Sequence, residues 1–155
     1  MNDPRAEPAA RAPRPPDGAR PVVTEETRVP IQSDADILAA RQKGRALAAE
    51  LGFTSSSLTM IATAISELAR NSVLYAKRGE IILSRAEENG RPGIVVMARD
   101  EGPGIPDVNM AMQSGYSTSG SLGLGLPGVR RLMDEFEIAS QPGKGTSVTA
   151  RKWKR

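Results

Sequence analysis

The sequence predicts an α/β fold: a two-layer sandwich whose mixed, mostly antiparallel sheet carries three or four helices on one face. Three observations point to it. Stretches with apolar residues at helical spacing are interleaved with β-branched runs, in the order strand, two helices, two strands, helix, hairpin. A short polar turn, Glu88-Asn89-Gly90-Arg91, joins the two central runs, which favours antiparallel pairing. Residues of the AVILMFWYC set make up 39% of 155, and with 15 glycines this is the apolar share of an ordinary globular domain with one core.

Each element follows in order. Residues 1–23 hold six of the 12 prolines together with Ala and Arg, and almost nothing large and apolar. Such a stretch cannot bury enough surface to offset its ordering entropy, so it reads as a disordered tail before a domain spanning 24–155. Arg28-Val29-Pro30-Ile31 reads as a short edge strand, where a proline is tolerated. Ser33 or Asp34 can cap a helix carrying Ile37, Leu38, Leu47 and Leu51, with Gly52 suited to its end. A second helix, roughly 57–75, turns Leu58, Ile61, Ile65, Leu68 and Val73 to the core. Strands over 80–84 and 94–98 flank the polar turn, and Pro127 suits the start of a helix reaching about Phe136. A last hairpin turns at residues 141–145 and ends in a strand from Thr146 to Trp153.

Absences narrow the function. The chain contains neither Cys nor His. Disulfides, thiolate or imidazole metal sites, Ser-His-Asp hydrolysis and a phospho-histidine relay within this chain are thereby excluded. Its 21 Lys+Arg against 18 Asp+Glu leave a mild net charge of +3. The one dense basic patch, Arg151, Lys152, Lys154 and Arg155, reads as a solvated end rather than a nucleic-acid contact. No apolar run approaches the roughly 20 residues of a membrane span. Residues 1–5 lack the apolar stretch of a signal peptide, so a cytoplasmic protein is expected, with neither nucleic acid nor membrane as partner.

Seven of the 15 glycines fall between Gly102 and Gly128. Gly123-Leu124-Gly125-Leu126-Pro127-Gly128 runs directly into the third helix. Glycines let backbone N–H groups approach an anion, and a helix N-terminus favours phosphate. A dinucleotide-binding fingerprint is excluded, because residues 117–121 before it read as loop and no acidic residue stands at the required distance after it. A Walker A loop lacks its Lys-Ser or Lys-Thr, and the catalytic loop of ordinary protein kinases is missing.

Three further stretches carry polar chemistry. Asp100-Glu101-Gly102-Pro103-Gly104-Ile105, just past a strand, reads either as a tight turn or as a carboxylate offered to the amino group of adenine, with the glycines letting the ring lie on the backbone. Glu67 and Asn71 stand one turn apart on one helix face, either as an exposed polar pair or as a base beside a hard oxygen ligand suited to Mg²⁺. Thr146, after Gly143-Lys144-Gly145, can hydrogen-bond a base beside Asp100.

In order and spacing, Glu67…Asn71, Asp100-x-Gly102-x-Gly104, Gly123-x-Gly125 and Gly145-Thr146 resemble the four boxes of the Bergerat (GHKL) ATP-binding fold. The resemblance covers about residues 25–155 and is shared with gyrase, Hsp90, histidine kinases and MutL. Residues 65–71, 115–120 and 125–136 are similar to the RsbT-type serine/threonine kinases, the switch kinases of the stressosome. That resemblance implies ATP and Mg²⁺ as ligands, with Glu67 as base, Asn71 holding Mg²⁺, and Asp100 on the adenine amino group assisted by Thr146. Gly102, Gly104 and Ile105 would line the base, and 115–126 would form a lid with Thr118, Gly123, Leu124 and Gly125 near the phosphates. It also implies STAS-domain partners of the RsbS and RsbR kind as phosphate acceptors, and a PP2C-type phosphatase resembling RsbU as the target activated afterwards. Members of that family start close to the first strand, so residues 1–23 are an addition. Two alternatives remain: an anti-sigma factor kinase of the RsbW or SpoIIAB kind, and a non-catalytic ATP-sensing module.

Overall fold

The computed structural model describes residues 22–76, 78–104, 112 and 125–155. The elements are β1 (Val22–Ile31), α1 (Asp34–Glu50), α2 (Ser55–Asn71), a π-helical turn (Ser72–Ala76), β2 (Gly79–Glu88), β3 (Arg91–Asp100), α3 (Gly125–Leu132), β4 (Glu135–Gln141) and β5 (Gly145–Trp153). The first 21 residues of the expected tail lie outside the described residues, and β1 begins at Val22, earlier than the short strand read from the sequence.

The five strands form one sheet in the order β1-β2-β3-β5-β4, with every pairing antiparallel. No parallel pair occurs among the described residues, so the mixed character expected of the sheet is not seen there. Hairpins set this pattern. Between β2 and β3, Asn89 (φ 54°) and Gly90 (φ 77°) both take the left-handed region, the requirement of a two-residue type I′ turn. Pro30 lies in β1, at the sheet edge, as its missing donor demands.

Alternation along the strands separates two faces. Ile81 and Leu83 of β2, Ile94 and Val96 of β3, and Val148 and Ala150 of β5 point to the helices and join Ile61, Ile65, Leu68 and Val129 in one core. Full burial of each such Ile or Leu stabilises by about 1.5–3 kcal/mol, so this interface dominates the fold. A small cluster of Ala86, Val95 and Trp153 lies on the opposite face, with the Arg91 guanidinium 5.5 Å from the Trp153 ring centre.

Helix ends follow local chemistry. Asp36 closes the start of α1, its carboxylate accepting from the Gln32 N–H at 2.8 Å and the Ser33 hydroxyl at 3.3 Å. Thr54 caps α2 by accepting the Ser57 N–H at 3.3 Å, and the helix therefore starts two residues before the expected 57. It stops at Asn71 rather than running to 75, since the next five residues widen into the π-helical turn. The third helix is also shorter than expected, ending at Leu132. The Asp134 N–H donates to Arg151 O and its carboxylate accepts the Trp153 N–H, both at 2.8 Å, which turns the chain into β4 and places Phe136 on a strand.

Most of the C-terminal basic patch is engaged within the fold. Arg151 pairs with Glu135 and Glu137, Arg155 pairs with Asp134, and Lys152 donates to the Leu132 carbonyl. Among the described residues no helix is long and apolar enough to cross a membrane.

Candidate functional site

Two groups of residues, one at the sheet end and one on the helices, account for the described members of the predicted site. At the sheet end, Asp100 closes β3 and stands opposite Thr146 of β5. The Asp100 carboxylate accepts the Gly102 N–H at 3.0 Å, forming a tight Asx turn that fixes its direction. Glycine is required in this corner. At Gly145 (φ 96°) a Cβ would come within 2.1 Å of the Asp100 carbonyl oxygen, and at Gly104 (φ 79°) within 2.3 Å of the Gln141 carbonyl oxygen. A Cβ on Gly102 would lie 2.6 Å from that of Ala76, so the loop after β3 is pressed against the π-helical turn after Asn71. The Gly143 N–H donates to Pro103 O at 2.7 Å, which ties this loop to the β4–β5 turn.

Ser140 completes the corner. Its hydroxyl shares a 3.0 Å hydrogen bond with that of Thr146 and donates to Gly145 O at 3.2 Å. The sequence reading missed Ser140, because the helix was expected to reach into β4 and its partner across the hairpin was not apparent. A cavity of about 680 Å³ opens at this end, lined by Asp100, Gly145 and Thr146 together with Arg78, Arg99 and Lys144.

The second group sits at the end of α2. Glu67 is the one charged residue buried in the described part of the fold, its side chain 9% exposed. A buried carboxylate needs partners, and both of its oxygens have one. Oε2 accepts from Arg70 Nη1 at 2.7 Å, and Oε1 accepts the Gly125 N–H at 3.2 Å. Gly125 opens α3 with a positive φ of 67°, and its N–H belongs to the unpaired first turn of that helix. The Glu67 carboxylate thus occupies an anion-favouring helix start. Asn71 closes α2 one turn after Glu67, half-buried, and its side chain makes no hydrogen bond among the described residues.

Asp100, Gly102, Gly104 and Thr146 are thus brought together at one end, and Glu67, Asn71 and Gly125 at the helix ends. The contact of Gly102 with the π-helical turn joins the two groups. Ile105, Thr118, Gly123 and Leu124 lie outside the described residues. Arg70 was visible in the sequence as a cation three positions after Glu67, a spacing that pairs side chains on a helix, but no role was read from it.

A carboxylate at the end of an antiparallel sheet and a buried carboxylate at a helix start fit a nucleotide-binding α/β sandwich of the ATPase-kinase class. Known proteins agree. The family model described as "Histidine kinase-like ATPase domain" matches residues 31–152. The serine/threonine-protein kinase RsbT of Bacillus subtilis (strain 168) is 50% identical over 133 residues, covering 86% of this chain and 100% of that protein. An anti-sigma F factor of Thermoanaerobacter sp. (strain X514) is 36% identical over 119 residues, 74% of this chain and 82% of its own. Among solved structures, the RsbU and RsbW domains of a Mycobacterium tuberculosis protein match with a TM-score of 0.58 at 21% identity, covering 85% of this chain and 33% of that one, which bears on the fold alone. The chain belongs to the histidine kinase-like ATPase domain family, and within it to the RsbT-type serine/threonine kinases.

Proposed function

We propose that the chain transfers the γ-phosphoryl group of ATP to a Ser or Thr hydroxyl of a STAS-domain partner. It then acts as a partner switch that activates a PP2C-type phosphatase in the cytoplasm. The observation that carries this reading is the buried Glu67 carboxylate, one helical turn before Asn71 and bonded to the first amide of α3. A module that only sensed nucleotide would have no use for a carboxylate held at the phosphate end.

Each residue then has a task. Asp100 accepts from the adenine amino group, and Thr146 supports the base beside it, oriented by Ser140. Gly125 offers its amide to phosphate oxygens. Gly102 and Gly104 let the base lie on the backbone, and Ile105, Thr118, Gly123 and Leu124 contribute as the family resemblance implies. Asn71 fits Mg²⁺, since that ion takes one or two protein oxygens and fills its other positions with water and phosphate oxygens. Bound there, Mg²⁺ would neutralise charge developing on the phosphates. In the transfer, the acceptor oxygen bonds to Pγ and the bond from Pγ to the bridging oxygen breaks, its electron pair leaving with ADP. Glu67 takes the hydroxyl proton.

The test is ³²P transfer from Mg-ATP to a serine-bearing STAS-domain protein encoded beside this chain, with Glu67→Ala and Asn71→Ala alongside. General-base removal is expected to cost roughly 10²–10⁴ in rate. Glu67→Ala should abolish measurable transfer while retaining nucleotide binding, and Asn71→Ala should lose transfer with Mg²⁺-dependent binding. Full transfer by Glu67→Ala would remove it from the base role. The similarity to anti-sigma F factors supports a second reading, direct binding of a sigma factor. Recovery of a sigma factor in stoichiometric complex with the purified chain, with no STAS transfer, would favour it.

A further inference from the structure

The two oxygens of Glu67 are held unequally. Arg70 Nη1 grips Oε2 at 2.7 Å in a charge-assisted bond, whereas the uncharged Gly125 amide holds Oε1 at 3.2 Å. Both bonds gain from the carboxylate charge, but the Arg70 contact is an ion pair and 0.5 Å shorter, so Oε2 is the anchored oxygen and Oε1 the more readily exchanged one. Arg70 itself is tied to nothing else among the described residues and is 39% exposed, at the rim of the buried carboxylate. The Gly125 amide also belongs to the helix start that favours a phosphate oxygen.

We propose that Arg70 is a positioning residue for phosphoryl transfer. It fixes the Glu67 carboxylate through Oε2, so that Oε1 can leave the Gly125 amide and receive the hydroxyl proton of the acceptor. The inference rests on the base role given to Glu67 above. Before nucleotide arrives, the Glu67 carboxylate occupies the place at the start of α3 that phosphate takes later. Once phosphate holds the Gly125 amide, the carboxylate stays in place only because Arg70 retains it. Protonation happens at Oε1, and Arg70 remains a cation throughout.

The geometry gives Arg70 and Glu67 separable signatures. Displacing a catalytic group by about 1 Å costs on the order of 100-fold in rate. In the full-length chain, Arg70→Met is expected to lower kcat for transfer to the STAS-domain protein by about 10–100-fold. KM for ATP and the calorimetric Kd of a non-hydrolysable ATP analogue should stay within about twofold, far from a factor of ten in either. Arg70→Lys, which restores a cation at shorter reach, should recover part of the loss. Hydrogen exchange of the Gly125 amide in the nucleotide-free chain should quicken in Arg70→Met and recover partly in Arg70→Lys. A merely structural role would lower thermal stability in both variants without separating kcat from KM. If Glu67→Ala is dead while Arg70→Met turns over at the full rate with unchanged Gly125 exchange, the anchoring role is overturned and the base role stands. If Glu67→Ala transfers normally, both are overturned together.

Discussion

At the residue scale, the decisive contrast is between two carboxylates in different settings. Glu67 is buried, with each oxygen occupied, whereas Asp100 is half-buried with one backbone amide on Oδ1. Asp100 therefore keeps accepting capacity for a ligand amino group, which adenine carries at C6 where guanine has a carbonyl oxygen. Losing a hydrogen bond to a charged group costs about 1.5–3 kcal/mol, which corresponds to roughly 10–100-fold in affinity. Asp100→Asn is expected to weaken ATP binding by that factor in calorimetry while leaving the urea midpoint close to that of the parent chain. Equal affinity in both proteins would show that the adenine amino group is recognised elsewhere. These two carboxylates were legible in the sequence because they sit in short motifs whose chemistry is local. Arg70 was given no role and Ser140 was missed, since the significance of each depends on a partner that only folding supplies.

At the scale of elements, the β4–β5 turn carries the sheet end of the site. Gly145 is buried, has φ 96° and leaves no room for a side chain against the Asp100 carbonyl. Such a backbone conformation costs a non-glycine residue about 1–3 kcal/mol, and here the obstacle is backbone, which cannot rotate away. Gly145→Ala is expected to lower the stability measured by urea unfolding by at least about 2 kcal/mol. It should also weaken ATP binding, because relieving the clash moves Asp100. An unchanged midpoint would mean that the hairpin adapts freely and does not position the carboxylate. The sequence was most informative where one local rule decided the outcome: the Asn89-Gly90 turn, the edge proline Pro30 and the apolar stripe of α2. It was least informative where two rules competed. Helical periodicity ran on past both Asn71 and Leu132, but the π-helical turn and the Asp134 bonds to β5 ended those helices. Such endings depend on cross-chain partners, which periodicity does not encode.

For the whole molecule, the site is assembled from parts far apart in the chain. In the proposed function the adenine end comes from β3 and β5 and the phosphate end from α2 and α3, so a bound nucleotide would bridge the sheet to the helix layer. The two ends already meet where Gly102 packs on Ala76. A ligand that binds only the folded chain stabilises it by mass action, by about 2.7 kcal/mol at a hundred times Kd. Mg-ATP at that excess is expected to shift urea unfolding by this amount and to slow amide exchange at Gly102 and Gly125 together. Mg-GTP at the same concentration should do much less, because guanine presents a different edge to Asp100. In Asp100→Asn the ATP shift should shrink towards the GTP value while protection at Gly125 falls in parallel. Protection gained at Gly125 alone would mean that the phosphates bind without the base being read. Equal shifts from Mg-ATP and Mg-GTP would take adenine selection away from the sheet end altogether.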